Sequence, residues 1–197
     1  MHLTGCSSTL TNERLDTIEA VVDCYIHCQR PRAEKERAFY AASSSLKEVI
    51  KRAAEAIPPP FFKMKRHPHQ RRLSKKTLGS VYERLKNTNW TQKNTLNFDR
   101  LHEIIHEEIS DVYGVGPLMI YDTTLRISAY FGIEPDKIYL HCGARAGARA
   151  IGIDQLKCST SSFPKPLQKL CAREIEDCLC IYKQDLKRLR ESRDAKD

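Results

Sequence analysis

The 197-residue sequence has no apolar run near the roughly 20 residues that a membrane-spanning helix needs, and no membrane partner is expected. It also lacks a Gly-x-Ser-x-Gly elbow, a Walker loop and a Rossmann glycine fingerprint. Common nucleotide-driven chemistries therefore have no visible support. Among its eight cysteines there is no CxxC pair, which removes the commonest redox and zinc-ribbon spacings. No internal repeat and no convincing apolar–polar alternation occur. What remains is helical periodicity, so the chain reads as all-α, a multi-helix globular bundle.

Charge is the strongest compositional signal. Lys and Arg number 33 against 25 Asp and Glu, a net charge of +8, which favours a polyanionic partner. DNA is the first expectation and RNA the second; a protein partner or a second copy of the chain stays open. The excess concentrates in KMKRHPHQRRLSKK, where Lys63, Lys65, Arg66, Arg71, Arg72, Lys75 and Lys76 occur with no acidic residue among them. Such a run can neutralise several phosphates, and His67 and His69 add charge below neutral pH. Phe61 and Phe62, just before it, are candidates for stacking on bases or for anchoring a linker. Near the start, Leu3-Thr4-Gly5-Cys6 has the form of a lipoprotein cleavage box, but only two residues precede it. An intracellular location is expected, cytoplasmic, or nuclear in a eukaryote, with reduced cysteines.

Along the chain, helical spacing appears over about 13–28, then from Pro31 or Arg32 to Ala56. Pro58, Pro59 and Pro60 break it. Ser74 can cap a helix carrying Leu78, Val81 and Leu85, and Asn97 or Asp99 opens one with Leu101, Ile105, Ile109 and Val112 on one side. After a glycine turn a further helix ends near Gly132, another covers about 135–152, and a last one about 165–190. The expected organisation is an N-terminal helical part, 1–57; a proline hinge and basic segment, 58–97; a core, 98–163; and a C-terminal helix with a charged tail, 164–197.

The turn between the two core helices is Tyr113-Gly114-Val115-Gly116-Pro117. Glycine accepts positive φ and carries no side chain to hold a ligand away. The second helix starts with unpaired N–H groups and a positive dipole end. Gly114, Val115, Gly116 and Leu118 can therefore present a phosphate site, with Val115 turned inward. This run resembles the helix-hairpin-helix motif of DNA repair and replication proteins, over about twenty residues. More loosely, the chain is similar to the base-excision DNA glycosylases that contain the motif, through Phe131-Gly132-Ile133, Tyr139-Leu140-His141 and Arg145. That resemblance implies DNA binding, and it nominates Asp136 and His141 as catalytic candidates. Tyr139 stands where the family carries its catalytic Asp, and Leu118 where lyase members carry Lys, so the expected protein binds DNA and leans away from catalysis.

Two further patterns compete. His102-Glu103-Ile104-Ile105-His106 spells H-E-x-x-H, which on a helix places two imidazoles on one face, able to hold zinc beside Glu103. Its missing third ligand has only Asp122, Glu134 and Asp136 as candidates. Cys158, Cys171, Cys178 and Cys180 are the corresponding set for a zinc or iron–sulfur site, although packing as small hydrophobes is the preferred reading. No cofactor is expected. Arg145 and Arg149, one helical turn apart, can clamp a second phosphate or pair with acids.

Overall fold

The computed structural model describes residues 15–90 and 96–195. The Leu3–Cys6 stretch and residues 91–95 of the polar loop lie outside the described residues. The fold is all-α, with one two-stranded sheet. No helix among the described residues is long and apolar enough to cross a membrane.

The chain divides into two units, and the division does not fall at the prolines. One unit spans Glu34–Pro135; the other is built from residues up to Ala33 and again from Asp136 onward. Pro58–Pro60 therefore lie inside a unit, where they pass into short 3-10 turns at Pro60–Phe62 and Pro68–Gln70.

Helix α1 (Ile18–Cys24) begins where the Thr17 side chain accepts a hydrogen bond from the Ala20 N–H. It runs through a single π turn, Tyr25–Gln29, into α2 (Arg30–Ala41) without a break. Pro31 does not start a new helix, contrary to expectation. A proline ring inside a helix clashes with the carbonyl four residues back and lacks an N–H, and the wider π turn immediately before it relieves both defects. The expected continuous helix to Ala56 is instead interrupted. Ser45 caps α3 (Leu46–Ala54) by accepting from the Glu48 N–H, while Glu48 accepts from the Ser44 N–H and hydroxyl. Three consecutive serines offer the backbone an alternative to helical bonding, and α2 ends there.

In the Glu34–Pro135 unit, α4 (Lys75–Asn87) is capped by Ser74, α5 (Phe98–Ile109) by Asn97 and α6 (Pro117–Phe131) by Gly116. Gly132, at φ 69°, closes α6 in the left-handed conformation that favours glycine. Ile50, Leu78, Val81, Leu85, Leu101, Ile105, Ile109, Ile120 and Ile127 form one core between α3, α4, α5 and α6.

The other unit corrects two expectations. Residues 135–152 are not a single helix: β1 (Ile138–Tyr139) comes first, α7 (Cys142–Ala150) follows, and β1 pairs antiparallel with β2 (Lys157–Cys158) beyond it. Buried Ile138 and Leu140 flank half-buried Tyr139, an alternation too short to read from sequence. The C-terminal helix is two, α8 (Ala172–Ile181) and α9 (Lys183–Asp194), separated at Tyr182. The small residues of α7 permit close packing. A Cβ on Gly147 would run into the Leu179 carbonyl of α8, and one on Gly143 into the Cys180 sulfur.

Candidate nucleic-acid interface

The glycine turn joins α5 to α6 through residues 110–116. Gly114 sits at φ +88°, a conformation that L side chains rarely adopt, whereas Gly116 at φ −129°, ψ 177° is ordinary extended backbone. Val115 packs against the core, as expected. Tyr113 projects outward and is 94% exposed. Among the described residues, no hydrogen bond ties up the N–H of Gly116 or Leu118. These groups open the fifteen-residue helix α6, whose N-terminal dipole end is positive.

The start of α4 lies directly beside this turn. The Thr77 hydroxyl donates to the Tyr113 carbonyl at 3.2 Å. A Cβ at Gly114 would rest 3.7 Å from both Leu73 and Thr77. Further along α4, Arg84 holds Asp111 with both guanidinium nitrogens and donates to the Glu108 carbonyl at 3.0 Å. Two helix N-termini thus meet at one place, and the sequence that enters the second is the basic segment.

That segment's charge is mostly uncommitted. Lys63, Lys65, Arg71, Arg72, Lys75 and Lys76 are exposed and form no ion pair among the described residues. Arg66 is the exception, donating to the Leu73 carbonyl and bracing the turn that leads into α4. Phe61 and Phe62 stack on each other, ring centroids 4.9 Å apart, and Phe62 also packs edge-on to His67.

The other nominated residues lie apart from this arrangement. Arg145 and Arg149 belong to the other unit, where both bond the carboxylate of Asp154, at 3.1 and 2.7 Å. That is the acid-pairing outcome for them. Asp136 is exposed just before β1, and His141 caps α7 with Nδ1 3.6 Å from Glu176. His102 and His106 stand on one side of α5, ring centroids 6.5 Å apart, while Glu103 is exposed and engages Arg100. Among the described residues, the one group of three His, Cys, Asp or Glu side chains close enough to share a metal ion contains the candidate ligand Asp122 but neither His102 nor His106, and no cysteine.

That group is His67, His69 and Asp122, and spacing alone did not single it out. The turn Pro68–Gln70 carries the histidines against the middle of α6, with their rings 4.9 Å apart. His69 Nδ1 lies 2.9 Å from Asp122 Oδ2, and Gln70 Nε2 donates to the same oxygen. Arg126, one turn beyond Asp122, approaches that oxygen at 3.6 Å and donates to Gln70 Oε1 at 2.9 Å. His67 Nε2 lies 3.2 Å from Glu36 Oε1.

The electrostatics follow from burial and pairing. Burial alone would push the Asp122 carboxyl up, but the His69 hydrogen bond and the positive charges of His69 and Arg126 hold it well below the usual carboxylate range. Burial lowers the His67 imidazole, outweighing the Glu36 carboxylate that favours its charged form. Tyr40, whose hydroxyl donates to the Ile57 carbonyl at 2.8 Å, is pushed by burial up to about 12. The Arg126 guanidinium lies 5.7 Å from its ring centre. One signal for the cluster was legible: Asp122 and Arg126 stand four apart in a helix where nearly every position is buried, so each needs a partner from elsewhere.

No family model, curated protein or solved structure matches the chain.

Proposed function

We propose that the protein binds nucleic acid, duplex DNA before RNA, largely without regard to sequence. The phosphate backbone is held by the N–H groups of Gly116 and Leu118 and by the basic segment from Lys63 to Lys76. The supporting observation is the docking of Thr77 on the Tyr113 carbonyl, which sets the Lys75–Lys76 start of α4 beside the glycine turn. A phosphate at the turn then meets backbone donors, the positive end of α6 and unpaired lysines together. Arg145 and Arg149 have no part in this reading, because both are already paired with Asp154.

Fluorescence anisotropy with a short labelled duplex, across a salt series, tests it. Binding should weaken steeply with salt, because each neutralised phosphate releases condensed counterions. Lys75→Gln combined with Lys76→Gln should flatten the slope of log K against log salt by about 2, roughly one per lysine. An unchanged slope in that variant would remove α4 from the interface. No binding at low salt would overturn the reading as a whole.

A further inference from the structure

We propose that His67, His69 and Asp122 form a binding site for one divalent transition-metal ion, zinc foremost. One ligand atom from each residue lies within 4.8 Å of the other two. Tetrahedral zinc, with bonds of about 2.0–2.1 Å, needs its ligand atoms about 3.3 Å apart, so adjustments of the side chains alone can close the site. Two imidazoles and a carboxylate suit zinc and its first-row neighbours rather than magnesium or calcium, which prefer all-oxygen shells.

The surroundings are those of a supported site. His67 and His69 are separated only by Pro68, whose fixed φ holds the short turn that brings the two rings together. Glu36 lies 3.2 Å from His67 Nε2, where a carboxylate can orient the imidazole by accepting its N–H; His67 Nδ1, the nitrogen left to ligate, accepts a long bond from the His69 N–H at 3.4 Å, which ligation would replace. The contacts to Asp122 from His69, Gln70 and Arg126 all fall on Oδ2. Oδ1 therefore keeps its lone pairs for another partner. Arg126 does not turn the site positive: once a metal has displaced the imidazole protons, ionised Glu36 and Asp122 against Arg126 leave the cluster one net negative charge. Its guanidinium is held by Gln70 Oε1 and, at 3.4 Å, by the Ala53 carbonyl. The His69 side chain is 43% exposed, which leaves a path from solvent. Three protein ligands leave a fourth position for water, the coordination of a reactive rather than a sealed zinc.

The test uses the full chain, stripped with a chelator and titrated with Co²⁺ and then Zn²⁺. One equivalent should bind. The cobalt form should show visible ligand-field bands without the near-ultraviolet charge-transfer band that thiolate ligands produce. His69→Gln, at a partly exposed position and with its helix content checked by circular dichroism, should weaken binding by more than about tenfold. Asp122→Asn should do the same, with its helix content checked by circular dichroism. His102→Gln combined with His106→Gln should leave affinity unchanged. The proposal fails if His69→Gln binds as wild type does, if the ion is lost with His102 and His106 instead, if a thiolate band appears, or if no equivalent binds.

Discussion

Replacing Gly116 by Val separates a phosphate site from a mere turn, because the structure predicts opposite consequences for folding and for binding. A Cβ at Gly116 meets no atom within 4 Å, and the backbone there, φ −129° and ψ 177°, is one that a β-branched residue prefers. Restricting the unfolded chain stabilises such a variant by about 0.4–1 kcal/mol. Valine is a poorer N-cap than glycine, by a similar amount in the other direction. Net stability should therefore stay within about 1 kcal/mol of wild type, a shift of no more than about 4 °C in Tm for a chain of this size. Binding should behave differently. An isopropyl group projecting beside the α6 N-terminus keeps a phosphate from the Gly116 and Leu118 amides, and a hydrogen bond to a charged group contributes about 1.5–3 kcal/mol. Losing one such bond weakens binding by roughly 10- to 150-fold. No charge is removed, so the salt slope should remain that of wild type, unlike the lysine variant. Anisotropy and thermal melting on the same preparation read both quantities. Wild-type affinity at unchanged stability would refute the amide contact, and a large fall in Tm would refute the description of Gly116 as open.

Two predictions concern the unit that contains α7 and α8. Gly147→Ala should destabilise the protein despite alanine's better helix propensity, because the added methyl meets the Leu179 carbonyl, which is backbone and cannot rotate away. Overpacking of this kind costs about 1–3 kcal/mol, against a propensity gain of about 1 kcal/mol; a variant more stable than wild type in urea unfolding would contradict the packing. Glu174 is buried, accepts from the Cys171 N–H at 3.0 Å and pairs with Arg30 at 2.7 Å. Burial would raise its carboxyl, but these partners hold it below the ordinary value of 4.5. Its stabilisation is therefore fully present above that value and is lost as pH falls through the lower folded one. Glu174→Gln should be less stable than wild type at pH 7, and the gap should narrow in acid; a gap independent of pH would contradict the assignment.

The part of the candidate site that was legible in the sequence rests on local signals. Asn97 caps α5, the glycine pair makes the turn and Gly132 closes α6, and each acts within a few residues of itself. The breaks were harder to read. The serines at 43–45 sit between two good helical patterns, and only the competition of their side chains for backbone groups ends α2. The π turn that carries the helix through Pro31 has no sequence signature at all. β1 and β2 are two residues each, below any periodicity. The meeting of the histidines with Asp122 was illegible for another reason: His69 and Asp122 are 53 positions apart, and spacing rules see only neighbours. For Arg145 and Arg149 spacing left a phosphate clamp and acid pairing equally open, and Asp154, which bonds both, lies outside what their spacing can show.

The basic segment poses a physical problem that the buried cluster resolves. Seven cations in fourteen residues repel one another and gain little from packing, so such a stretch on its own stays extended and solvated. Here its middle is fastened to α6 by Gln70 and His69 on Asp122, with Arg126 spanning Asp122 and Gln70, and to α2 by His67 on Glu36. Burying those charges brings little net stability, but each polar group is satisfied only when the turn Pro68–Gln70 sits at one place along α6. That register sets where Leu73 and Thr77 meet Gly114, and therefore where Lys75 and Lys76 emerge. The acids that neutralise nothing on the outer surface thus determine which surface is positive.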